Sequence, residues 1–203
     1  MPRCSFGCIY CTIYTLIFMF MLSMILFWII ISPSNVKFRV TDASLTQFNL
    51  TNNNLYYNFK VNITVRNPNN NIIVYYRRIT AIAWYKDNEF GWMSLTTFDQ
   101  GHKNTTFLHA VFEGHSVLKL KAKQLGEYKE ETSVGVYEDL AVDLDLRIRT
   151  KYGRFKSGRF NPPVVQCGSL RVPLISSGKI APPFSVKKCS TGSFFVDRDA
   201  ESG

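Results

Sequence analysis

Three asparagines stand in Asn-x-Ser/Thr triplets, at Asn49, Asn62 and Asn104. Such a triplet accepts an N-linked glycan when its side of the chain enters the secretory lumen. Chance alone places about as many in a chain so rich in Asn, Ser and Thr, so position matters more than number. The cysteines split into two groups. Cys4, Cys8 and Cys11 crowd the N-terminus, whereas Cys167 and Cys189 lie far down the chain. Thiols beside a membrane span on its cytosolic side are candidates for reversible S-acylation. Two distant thiols in an oxidising compartment would instead close a disulfide loop.

The remaining chemistry-bearing patterns stop short. Gly153-Arg-Phe-Lys-Ser-Gly158 has the glycine spacing of a phosphate-binding loop, but Arg159-Phe160 replaces the required Lys-Ser/Thr pair. Gly114-His115-Ser116 begins like a nucleophile elbow, but Leu118 replaces the second glycine. His102, His109 and His115 are spaced seven and six apart, which does not align metal ligands on one helix face. No catalytic residue, metal ligand or cofactor-binding residue is assigned, no cofactor is expected, and the chain does not read as an enzyme.

These residues need elements to hold them. Ile9 to Ile31 runs 23 residues without a charge. As a helix it would be about 34 Å long, enough for a hydrocarbon core of ~30 Å. A signal peptide has a much shorter apolar stretch, so an uncleaved transmembrane helix is expected. Lys37 and Arg39 against Arg3 favour a cytosolic C-terminal side, but long domains translocate largely regardless of such charges. The cysteine split points the other way, to a cytosolic N-terminus and an oxidising C-terminal side.

Beyond the span the chain alternates with period two. Phe59, Val61, Ile63 and Val65 interleave with Lys60, Asn62, Thr64 and Arg66. Leu140 to Ile148 interleaves with Asp143, Asp145, Arg147 and Arg149. Val36–Val40 and Leu118–Ala122, with Lys119 and Lys121 outward, are shorter runs of the same kind. Such alternation means a sheet with one dry and one wet face, and Asn62 falls on the wet one. Asn67-Pro68-Asn69 ends a strand, because Pro lacks the ladder N–H. Asp87-Asn88 reads as a hairpin tip. Leu118–Val136 is ambiguous, open to a short helix or a loop. About seven strands predict an all-β, antiparallel β-sandwich of immunoglobulin/fibronectin-III-like type. The expected organisation is a cytosolic segment 1–8, a transmembrane helix 9–31, a juxtamembrane strand region 32–58, a sandwich 59–175 and a loosely packed tail 176–203.

Charge narrows the partners. Of 24 Lys+Arg, only Arg3 precedes Lys37, so 23 face the 15 Asp+Glu beyond residue 35, a net +8. On an extracellular face this favours anionic polysaccharide or lipid head groups. Nucleic acid is not expected, since no basic helix or stacking motif accompanies the charge.

Asn67-Pro68-Asn69, the pair Tyr75-Tyr76, and Gln100-Gly101-His102-Lys103-Asn104-Thr105 together resemble the plant harpin-induced-like proteins, also called non-race-specific-disease-resistance-like proteins. That resemblance runs from the span to Cys189. It implies a late-embryogenesis-abundant type 2 domain behind one membrane span, residence in the plasma membrane with the domain in the apoplast, and a part in pathogen response and hypersensitive cell death. It implies no catalytic mechanism. Asp99 stands where the family usually has Tyr. The implied partners are an acidic wall polymer or a signalling protein. A membrane-protective role in dehydration and a lipid-binding groove are the alternatives.

Overall fold

The computed structural model describes residues 6–31, 33–175 and 184–201; side chains of residues 6–9, 27–31 and 201 are outside the description. The chain divides into two compact units, Met1–Ser34 and Asn35–Gly203.

The first unit is a single helix, α1, Phe6–Ile31, 26 residues without a charged side chain. Its described side chains, Tyr10 to Leu26, are all exposed. Among the described residues no helix is long and apolar enough to cross a membrane. Residues 9–31, expected as a span, lie within α1.

The second unit is built from two antiparallel sheets. In one, β10 (Lys187–Lys188), β1 (Lys37–Thr51), β2 (Asn54–Arg66) and β6 (Thr105–Val117) lie in that order. In the other, β3 (Ile72–Tyr85) and β7 (Val136–Tyr152) form the centre. The free edge of β3 pairs with β4 (Asn88–Ser94) and β5 (Phe98–Gln100); that of β7 pairs with β8 (Phe155–Phe160) and β9 (Val165–Pro173). The sheets meet along their sides, where Leu45 bridges Leu174 and the Val111 N–H donates to Met93 Sδ at 3.2 Å. Among the described residues this half-barrel has ten strands rather than about seven. The extra ones are two to six residues long and exist through pairing with a long partner.

Two-residue turns explain the hairpins. Asn52-Asn53 and Lys86-Asp87 both take positive φ, as type I′ hairpins require. The second hairpin is the expected one, with its tip one residue earlier. The alternation holds inside it all: Phe59, Val61, Ile63, Val65, Leu140, Val142, Leu144 and Ile148 are buried between the sheets.

Three expectations are corrected. Residues 32–58 are not a separate juxtamembrane region, because β1 and β2 belong to the first sheet and the boundary at residue 59 falls inside β2. Leu118–Ala122 is not a strand. Lys119 and Lys121 lead into α2, Ala122–Val134, which starts with Lys121 N–H on Gln124 Oε1 at 2.9 Å and ends at Gly135 in the left-handed region. Only Tyr128 of this helix is buried, so its sequence carries no apolar stripe. Tyr128 joins Tyr85, Phe90 and Tyr137 around Phe48 and plugs one end of the sandwich.

The described part of the tail, residues 184–201, is not loosely packed. Cys189 N–H donates to Phe38 O, Ser190 exchanges backbone bonds with Gln166, and the fully buried Phe194 packs on Phe38. It thereby closes the seam between β1 and β9, locked by the Cys167–Cys189 disulfide.

Candidate functional site

The motif residues assemble at the end of the sandwich opposite α2. Asn67 is fully buried. Its Nδ2 donates to Ile72 O (2.7 Å) and Gly101 O (3.0 Å); its Oδ1 accepts from the backbone N–H and Nδ2 of Asn69 (3.1 and 3.0 Å). Pro68 lies between them and keeps the turn out of the ladder. Gln100, also fully buried, donates from Nε2 to Val65 O at 2.9 Å and accepts from the Tyr76 hydroxyl at 3.3 Å. Tyr76 stacks on Phe98, and burial pushes its phenol far up. Asn104 O accepts from Asn67 N–H, and Lys103 N–H donates to Asn69 O. The buried amides thus tie the turn at 67–72 to the loop at 101–104.

The other motif residues face outward. Tyr75 lies under the Arg77 guanidinium, 5.0 Å from its ring centre, and Asp99 opposite Tyr75 pairs with Arg77 at 3.2 Å. The acid that replaces the family's usual aromatic therefore neutralises a neighbouring cation. Thr105 accepts from Arg66 at 2.9 Å. His102 and Lys103 are exposed. His102 lines a cleft of about 450 Å³ together with Asn71, Ile73, Lys151, Tyr152 and Gly153.

Sequence reasoning missed what adjoins this cleft. The β7–β8 hairpin carries Arg147, Arg149, Lys151, Arg154, Lys156 and Arg159, and no acid occurs between Asp145 and Asp197. Arg149 stands opposite Arg159 and Lys151 opposite Lys156, so these pairs share a face. The acid nearest in the sequence, Asp145, already holds Arg78 at 3.0 Å and Arg198 at 2.8 Å. The run without acid was the available signal; only the register shows that the cations converge. It also explains the phosphate-loop near miss, since Gly153 and Gly158 belong to a hairpin rather than to a helix start.

The remaining predicted residues lie apart. Asn49 and Asn104 are exposed. Asn62 is half-buried; its Nδ2 donates to Asp42 Oδ2 at 3.3 Å, and its Oδ1 lies 2.7 Å from His109 Nδ1. Cys11 is free and exposed; Cys4 and the Cys8 side chain lie outside the described residues.

At the opposite end, Lys86 is buried and pairs with Glu131 at 2.8 Å and Glu127 at 2.9 Å, while the Tyr85 hydroxyl donates to Glu131 at 2.8 Å. Burial works to lower the Lys86 ammonium, but its bonds to Glu131 and Glu127 outweigh this and hold it above the usual range. Burial pushes Tyr85 far up and Tyr137 up to about 12. Groups raised on folding contribute stability below their unfolded values, about 10 for Tyr and 10.4 for Lys, and lose it as pH rises through the folded ones. The melting temperature should therefore hold from about pH 7 to 9.5 and fall steeply above about pH 10, with a smaller fall in Tyr137→Phe. Thermal melts by circular dichroism across that range check it; a flat curve to pH 11 would count against this arrangement.

A model of the late embryogenesis abundant protein family matches residues 62–166. The chain is similar to three proteins of Arabidopsis thaliana. It is 43% identical to NDR1/HIN1-like protein 10 over 75% of this chain and 67% of that one. It is 39% identical to NDR1/HIN1-like protein 3 over 81% and 71%, and 36% identical to NDR1/HIN1-like protein 2 over 75% and 63%.

Proposed function

The chain belongs to the NDR1/HIN1-like family of late embryogenesis abundant proteins, and from that premise we propose that it is a single-pass plasma-membrane protein of plant defence that acts by contact rather than catalysis. The observation that carries this reading is α1, 26 residues without a charge, ahead of a compact β unit with its own disulfide. A disulfide and exposed sequons fit an oxidising, glycan-bearing side. The β unit is therefore read as apoplastic, with Cys4, Cys8 and Cys11 on the cytosolic side available for acylation. Its net charge of +8 beyond residue 35 supports a tether to acidic wall polysaccharide during pathogen response. One exposed ion pair contributes only about 0–1 kcal/mol, so such a tether needs many charges. The space between the sheets is filled by side chains such as Phe59, Ile63 and Leu144, which leaves a lipid groove without an observation in its favour.

Glycosidase treatment of the protein from intact cells should lower its apparent mass, and external protease should reach the β unit. Replacing Asn49, Asn62 and Asn104 together by Gln should abolish the mass shift. An unshifted parent whose β unit survives external protease would overturn the topology. For the defence role, partner capture after pathogen challenge is set against leakage assays on dried vesicles. Protection of the vesicles with no recruited partner would favour the dehydration role instead.

A further inference from the structure

The geometry points to the β7–β8 hairpin and the adjoining His102 cleft as one binding site for a uronate-containing polysaccharide. This rests on the tether reading above and gives it a location.

Three observations converge. The first is electrostatic. Arg149 opposite Arg159 and Lys151 opposite Lys156 place like charges across a strand pair, an arrangement that costs stability when left alone. Among the described residues none of the six hairpin cations meets a carboxylate; Asp145 is occupied by Arg78 and Arg198, and Asp99 by Arg77. A surface that concentrates cations and excludes their counterions from the chain itself is suited to an external polyanion.

The second observation is the cleft at the hairpin's turn, lined there by Lys151, Tyr152 and Gly153. Asn71 and His102 bring hydrogen-bonding groups, Lys151 an ammonium and Tyr152 aromatic surface. A carboxylated sugar presents the matching set: a carboxylate for Lys151, hydroxyls for the amide and imidazole, and an apolar ring face for the aromatic residue. Lys151 belongs to both features, so the charged face leads into the cleft.

The third is rigidity. The loop that carries His102 is held by the fully buried Asn67 and Gln100, and preorganisation lowers the cost of binding. The motif thus has buried amides that fix the loop and one exposed member, His102, that lines the cleft. A bilayer fits the same surface less well. It would favour several apolar side chains around the cations, and the hairpin offers one strongly exposed aromatic, Phe155.

The test uses the full chain in neutral detergent micelles and a labelled oligogalacturonate followed by fluorescence anisotropy. The parent should bind at low salt and release as the Debye length falls below about 8 Å. Lys151→Glu with Lys156→Glu should weaken binding by about tenfold or more. Lys60→Glu with Lys188→Glu makes the same change of net charge on the outer face of the other sheet and should weaken it by less than about threefold. His102→Ala should weaken oligogalacturonate binding by about fivefold and leave dextran sulfate binding unchanged, since it removes hydrogen bonding without altering the cation cluster. Matching thermal melts establish that each variant is folded. Equal losses in the two double variants would overturn the site and leave the tether reading standing. A parent that binds no oligogalacturonate would overturn both. Hairpin-dependent binding to phosphatidylserine vesicles, tighter than to oligogalacturonate, would overturn the sugar as occupant.

Discussion

Asn67→Ala is expected to destabilise the β unit by about 3–5 kcal/mol. The side chain is fully buried, and its four hydrogen bonds end on Ile72 O, Gly101 O and two groups of Asn69. Alanine removes all of them and leaves acceptors and donors away from water. Each buried group so stranded costs about 1–3 kcal/mol. Local relaxation would recover part of this, which sets the range. Asn67→Asp is a sharper probe, because it keeps the shape and the acceptor but loses the donor and buries a charge. Both variants should lower the urea midpoint followed by tryptophan fluorescence. A loss below about 1 kcal/mol for Asn67→Ala would show that the turn does not depend on this amide. Because the same bonds hold the loop at 101–104, either variant should also weaken oligogalacturonate binding without removing a cation from the hairpin.

Cys189→Ser should lower stability by about 3 kcal/mol, the chain-entropy value for a loop of this size. The bridged cysteines are 22 residues apart. The effect should be local as well as global. The tail from Lys187 onward is held by the bridge, by β10 on β1, by the Ser190–Gln166 backbone pair, by Phe194 against Phe38 and by Arg198 on Asp145. Without the bridge only these short, separate contacts remain, so limited proteolysis should cut the tail before the sheets. Peptide mapping after alkylation should find Cys167 linked to Cys189 in the unreduced parent. Two alkylated thiols there, or a Cys189→Ser variant as stable and as protease-resistant as the parent, would contradict this account.

The strands that could be read in the sequence are those whose burial is one-sided along their length. Phe59 to Val65 and Leu140 to Ile148 alternate because each has the other sheet on one face and solvent on the other. Helix α2 was not legible in this way. It buries Tyr128 alone, so its sequence lacks a stripe; its helix-forming composition and the terminal Gly135 were the only signals. The tail escaped for a related reason. Its Ser, Gly and Pro content reads as loose chain, yet one buried Phe194 and a disulfide suffice to dock it. The site divides the same way. The motif's identity stood in the sequence, but the division of labour within it did not, since Asn67 and His102 are both polar residues in turn-like surroundings.

By itself the sequence determined the uncharged N-terminal segment, the long alternating strands, the turn at Asn67-Pro68-Asn69 and the candidate pair Cys167 and Cys189, since each depends on residue type and on spacing within a few positions or on which thiols share a side. Only the tertiary structure decided that Asn67 and Gln100 are spent on backbone, that His102 and Lys151 line one cleft, and that Arg149 and Lys151 stand opposite Arg159 and Lys156. These follow from register and sheet order. A strand's register is set by all of its partners at once, and a shift of one residue would turn every side chain to the other face.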